Sequence, residues 1–82
     1  LTEKQLDDSE YIFSCRLEVE YLNEKYDLGI PESEEYETLA GFIIFHYQGL
    51  PAVGDVIRTE QLEIKILRRT RSRLELARVK RL

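Results

Sequence analysis

Hydrophobic residues fall at helical spacing in two stretches of the chain and in short strand-like runs in four. From Leu17 onward, Val19, Leu22 and Tyr26 share one stripe, while Glu18, Glu20, Asn23, Glu24 and Lys25 lie mostly away from it. This spacing predicts an amphipathic helix, stopped by Leu28-Gly29-Ile30-Pro31. In the second stretch Leu39, Ala40, Phe42, Ile43, Ile44, Phe45 and Tyr47 fall almost all the way round a helical cylinder, leaving Gly41 and Gln48 as a small or polar seam. A helix that apolar is expected to be covered on more than one side. Gly49, tolerant of a left-handed stop, and Pro51 beyond it predict an end near Gln48.

Among the strand-like runs, Tyr11-Ile12-Phe13 predicts a first strand with burial on both faces. Pro51-Ala52-Val53-Gly54-Asp55 reads as a tight turn, since proline presets φ and glycine accepts a positive one. Val56 to Thr59 follows as a strand, and then Leu62, Ile64 and Ile66 alternate with Glu63 and Lys65 as a half-buried one. Leu74, Leu76 and Val79 form the last, where the skipped beat between Leu76 and Val79 predicts a bulge. Leu1 to Ser9 is polar and acidic, and reads as a linker remnant with at most one helical turn. The expected domain therefore runs from residue 10 to 82. Its order is β-α-α-β-β-β, a small two-layer α+β domain with an antiparallel sheet packed on two helices.

Eighty-two residues make one domain that buries only about 60 to 65% of its unfolded surface. The single cysteine, Cys15, has no resolving partner, and no Cys/His metal spacing exists, so the chain fits a reducing compartment. The longest apolar run, Phe42 to Phe45, is far short of the ~20 residues of a membrane helix. Direct membrane insertion is not expected, and a cytoplasmic location is. The chain begins without a methionine and reads as a piece of something longer. The net charge of -4 conceals a segregation: residues 1–57 carry three bases against thirteen acids, and residues 58–82 nine bases against three acids. Such polarity is either internal to the fold or marks partner surfaces of opposite sign.

Several side-chain groups carry candidate chemistry. Glu32, Glu34, Glu35 and Glu37 precede the second helix, where carboxylates are favoured by the positive end of its dipole. Helix capping with solvation is one reading of them, and weak binding of a divalent cation by their oxygens the other. Arg68, Arg69, Arg71 and Arg73 make a basic turn, but no aromatic residues interleave with it and strand alternation would divide it between two faces. An acidic protein surface, an anionic small molecule or a solvated edge fits it better than nucleic acid, which is not expected as a partner. His46 reads as a hydrogen-bonded packing residue rather than a catalyst, and Cys15 as small and semi-buried. The four glycines are dispersed, and no phosphate-cradling loop is present.

Tyr36, Glu37, Thr38, Leu39, Ala40 and Gly41 open the hydrophobic helix, and Pro51, Gly54 and Asp55 follow about ten residues later. This set resembles the transporter-associated CorC/HlyC domain. The likeness continues in the upstream strand, in Arg16-Leu17 leading into a Leu22-Asn23 helix, in the acidic loop, and in the basic C-terminal hairpin. Two departures are local: Ser14-Cys15 stands where the family usually has an Asp-Gly-like turn, and Thr70-Arg71-Ser72 replaces a common Asp-Gly hairpin. The resemblance implies a fold like half of a PCMH-type FAD-binding domain. It further implies a non-catalytic module at the cytoplasmic end of an inner-membrane protein, behind a membrane region and paired CBS domains, modulating efflux of magnesium or cobalt. The partners so implied are those preceding domains, or a second copy in a homodimer. No cofactor is expected; an adenine nucleotide, flavin or divalent cation is the alternative ligand.

Overall fold

A computed structural model describes all residues 1–82. Strand β1 is Glu3–Gln5, β2 Glu10–Ser14, α1 Val19–Tyr26, α2 Leu39–Tyr47, β3 Val56–Arg58, β4 Leu62–Arg69 and β5 Leu74–Arg81. The strands form one antiparallel sheet in the order β1-β2-β5-β4-β3, so the N-terminal strand pair closes on the C-terminal strand.

One sheet face, carrying Tyr11, Phe13, Ile57, Leu62, Ile64, Ile66, Leu74, Ala77 and Val79, shares a single buried core with Val19 and Leu22 of α1 and Leu39, Phe42 and Ile43 of α2. Leu28 and Ile30 seal that core from the connecting loop. The opposite face is a charged surface, in which Ile12, Arg78, Lys65 and Val56 stand side by side across four strands. Burial of β2 follows from this: Tyr11 and Phe13 are inside, and Ile12 is only half-buried.

Four details depart from the sequence expectations. Residues 1–9 contain no helical turn, because Glu3–Gln5 pairs with Tyr11–Phe13 as an edge strand. The bulge lies earlier than expected, with register shifts where Ile66 to Arg69 oppose Leu74 to Ala77; Ala77 and Val79 then alternate normally into the core. The left-handed stop of α2 is Gln48 itself, at φ 63°, rather than Gly49. Most consequentially, α2 is covered on one side only. Leu39, Phe42 and Ile43 are buried, whereas Ile44, Phe45 and Tyr47 are 38%, 55% and 46% exposed. All-round hydrophobicity cannot count covering layers, and a two-layer fold supplies just one.

Candidate functional site

The residues before α2 determine what its N-terminus can do. Thr38 is the N-cap, with Oγ1 accepting from Gly41 N at 3.1 Å. Leu39 N donates to Leu17 O and Ala40 N to Cys15 O, each at 2.9 Å, and Phe42 N donates to Thr38 O at 3.0 Å. The first-turn donors are thus all taken by protein groups. Carboxylates of the acidic loop do not cap α2, so that part of the capping expectation is corrected.

Chain folding brings part of the acidic loop onto the start of α1. Glu32 and Glu37 line a cavity of about 220 Å³ together with Glu18, Glu20, Ser33 and Tyr36. Glu34 and Glu35 instead sit on the exposed turn between Ser33 and Tyr36. None of these six carboxylates is in an ion pair, and only Glu32 receives a side-chain hydrogen bond, from Asn23 Nδ2 at 3.2 Å. No three His, Cys, Asp or Glu side chains converge as a ligand set. The cavity therefore offers a negative potential to a hydrated cation, without a preformed inner coordination sphere.

Tyr36, Thr38, Leu39, Gly41, Pro51, Gly54 and Asp55 all hold the scaffold. Tyr36 packs its ring on Phe42 and Phe45, at centroid distances of 5.6 and 5.4 Å, and donates its hydroxyl to Pro31 O. A Cβ at Gly41 would stand 2.8 Å from Tyr36 Cβ, so the helix approaches Tyr36 closely enough to require glycine. Leu39 and Pro51 are buried. Gly54, at φ 92°, lets its N–H reach Ile66 O at 2.8 Å. Asp55 Oδ2 accepts from Ala52 N at 2.9 Å and from the Tyr47 hydroxyl at 3.1 Å, tying the turn to the end of α2.

The arginines separate by role. Arg69 is bound within the fold: Nη1 donates to Leu50 O at 3.2 Å and Pro51 O at 2.8 Å, Nη2 to Arg71 O and Nε to Thr70 O, both at 2.9 Å. Arg68 faces Glu75 at 3.5 Å. Arg71 and Arg73 are exposed and outside every ion pair.

Two structural residues have no counterpart in the sequence reading. Glu3 of β1 accepts from the Tyr26 hydroxyl at 2.5 Å, from Lys25 Nζ at 2.8 Å and from the Tyr21 hydroxyl at 2.9 Å. Hydrogen bonds from Lys25 first, and from Tyr26 next, hold its carboxyl down at about 2. Arg81 closes the C-terminal end of α1, its Nη2 donating to Tyr26 O at 2.5 Å and its Nη1 to Asp27 O at 3.0 Å. Tyr21, Lys25 and Tyr26, the three positions of α1 that meet Glu3, fall within about one and a half turns and were the available signal.

His46 stacks on Phe42, 5.6 Å between centroids, and is exposed beside an open groove of about 620 Å³ lined by Pro31, Arg58, Thr59 and Glu60. It is therefore not the hydrogen-bonded packing residue expected. Cys15 is fully rather than partly buried, and that burial pushes its thiol up to about 12, leaving it protonated at neutral pH.

No helix of the fold is long and apolar enough to cross a membrane. No curated protein sequence matches the chain significantly. Solved structures do match. A Neisseria meningitidis region named for association with a Mg2+ and Co2+ transporter, CorC, is 21% identical, with 98% of each chain covered and a TM-score of 0.88. The transporter associated domain of a Porphyromonas gingivalis CBS domain protein is 24% identical, covering 98% of this chain and 97% of its own, with a TM-score of 0.79. The CorC_HlyC domain of a Xylella fastidiosa hemolysin, solved in complex with Mg2+ and Mn2+, is 23% identical, covering 100% and 99%, with a TM-score of 0.82. These likenesses establish the fold. The family model of the CorC_HlyC transporter associated domain matches residues 4–82, and the chain belongs to that family.

Proposed function

We propose that this chain is a non-catalytic regulatory and interaction domain of a CorC/HlyC-type membrane protein, modulating the efflux of divalent cations such as magnesium or cobalt. In this reading it lies on the cytoplasmic side of an inner membrane and acts on the CBS and membrane domains that precede it. The observation that carries the proposal is the use made of the motif: Tyr36, Thr38, Gly41, Gly54 and Asp55 pack, cap and tie, leaving the surface to carry function. The names of the Neisseria and Porphyromonas structures support the transport context. The test is to replace this domain by a flexible linker in the longer protein and follow efflux against internal magnesium. Transport should persist with a shifted dependence on internal magnesium. An unchanged dependence contradicts the proposal.

A second reading, weak divalent-cation binding, is favoured by the unpaired carboxylates around the 220 Å³ cavity and by the Mg2+ and Mn2+ complex of the Xylella domain. Glu32 and Glu37 would join Glu18 and Glu20 there, with Glu34 and Glu35 contributing only to the surrounding field. Titration calorimetry with magnesium chloride tests it: heat that disappears in a Glu32→Gln, Glu37→Gln variant supports binding, and heat that survives places any ion elsewhere. Adenine nucleotide or flavin binding rests on the family resemblance alone.

A further inference from the structure

We propose that the open face of the sheet is a peripheral docking surface for an anionic lipid bilayer, with the helix layer turned away from it. The inference goes beyond the transport reading and does not rest on it, because it uses only how this fold distributes charge.

A two-layer fold covers one sheet face and leaves the other bare, and the strand register sets what stands on the bare side. Lys4, Ile12, Arg78, Lys65 and Val56 lie in one row across all five strands. Glu10, Lys80, Glu63 and Arg58 lie across four strands in the next. Four of these bases border one depression of about 310 Å³. Five bases stand here against two acids, so the two rows carry +3 on a chain whose net charge is -4, and the rest of the molecule carries -7. The fold thus turns part of the charge segregation along the sequence into a difference between its two sides.

Height sharpens the contrast. The side chains of Glu10 and Glu63 are 22% and 29% exposed, against 48% for Arg78 and 47% for Lys80, which pair with Glu10 at 3.0 and 4.0 Å, and 68% for Arg58, which pairs with Glu63 at 2.8 Å. The acids lie low and the bases stand over them. Lys4 and Lys65 are exposed and outside every ion pair.

What the face lacks narrows the partner. None of the aromatic residues stands in these rows, whereas a protein partner is ordinarily held by a few anchors, aromatic ones prominent, seated in desolvated pockets. Stacking platforms for single-stranded nucleic acid are absent for the same reason. A bilayer needs no anchor, since each base near an anionic surface adds to the attraction on its own. Strands about 4.8 Å apart spread the row over about 20 Å, so the bases meet a broad surface together. Half-buried Ile12 and exposed Val56 add apolar contact between them. The negative remainder of the molecule is repelled by the same surface, which orients the helix layer away.

The test is co-sedimentation of the 82-residue chain with vesicles of phosphatidylcholine and phosphatidylglycerol in equal parts, and with vesicles of phosphatidylcholine alone. Binding is expected to the first only, and to weaken as salt rises. One base near such a surface changes partitioning about fivefold, so Lys4→Gln with Lys65→Gln should weaken binding about 25-fold with an unchanged melting temperature. Ile44→Glu with Phe45→Glu makes the same change in net charge at exposed positions on the far side of the helix layer, in a molecule at least 25 Å through. That side lies beyond a Debye length of about 8 Å, so this variant should bind within about twofold of wild type; Phe45→Glu alone serves if the pair folds poorly. A wild-type chain that ignores phosphatidylglycerol at low salt overturns the proposal, as does equal loss of binding in the two double variants. A chain that binds polyglutamate more tightly than these vesicles, or that free glycerol phosphate displaces at matched ionic strength, also overturns it, because the face then serves an acidic protein or a small anion.

Discussion

The Glu3 carboxylate on the edge strand accepts a hydrogen bond from the Tyr26 hydroxyl on α1 at 2.5 Å, across a sequence separation of 23 residues. With Lys25 at 2.8 Å on the same oxygen, it clasps β1 to the helix layer. The carboxyl is held at about 2, against an ordinary 4.5. Its stabilising contribution is therefore complete above about pH 4.5 and is lost as the pH falls from there toward 2. Glu3→Gln should lower the melting temperature by several degrees at pH 7, and the gap to wild type should narrow steadily between pH 5 and pH 3. Thermal melts across that range check it; a gap independent of pH would show that the clasp is not ionic.

Arg69 and Arg71 lie two residues apart and should behave oppositely. Arg69→Ala removes four hydrogen bonds to backbone carbonyls of two separate segments, and should cost about 1 to 3 kcal/mol. Arg71→Ala, exposed and outside every ion pair, should stay within about 0.5 kcal/mol of wild type. Urea denaturation of the two variants separates them. Equal effects would return Arg69 to the surface set.

The two phenylalanines of α2 make a similar contrast. Phe42 is 2% exposed in the core, and Phe42→Ala should cost about 3 to 5 kcal/mol, enough to leave little folded protein in so small a domain. Phe45, 55% exposed, should cost less than about 1 kcal/mol as Phe45→Ala in the monomer. Comparable losses would mean that the outer face of α2 is covered within the chain itself.

Alanine ordinarily favours a helix over glycine by about 1 kcal/mol, yet Gly41→Ala should destabilise. The new Cβ meets the Cβ of Tyr36 at 2.8 Å, an atom that cannot move without shifting the loop. A raised melting temperature in this variant would show that the loop yields easily.

Both helices and strands β2 to β5 were legible because their hydrophobic spacing coincides with burial: Val19 and Leu22, Leu39, Phe42 and Ile43, and Leu62, Ile64 and Ile66 all lie inside. Strand β1 was not, since Lys4 and Gln5 are exposed and the strand is held by Glu3 through side chains far along the chain. The outward side of α2 was illegible for a different reason. Ile44 and Phe45 look like core in any one-dimensional pattern, and only the arrangement of layers leaves them bare. Around the acidic cavity, Glu32 and Glu37 could be read from their clustering, whereas Glu18 and Glu20 join them through the fold. The charge segregation was plain in the sequence, but its use was not: Arg58, Arg68, Arg78 and Lys80 are paired with acids inside the domain.

The central claim is that this domain regulates through its surface while its motif maintains the fold. Magnesium efflux by the longer protein carrying Phe45→Glu, or Glu32→Gln with Glu37→Gln, measured against internal magnesium, tests it most directly. The account predicts an altered dependence on internal magnesium in at least one of the two, with the domain melting as in wild type. Efflux indistinguishable from wild type in both, with the domain still folded, would contradict it.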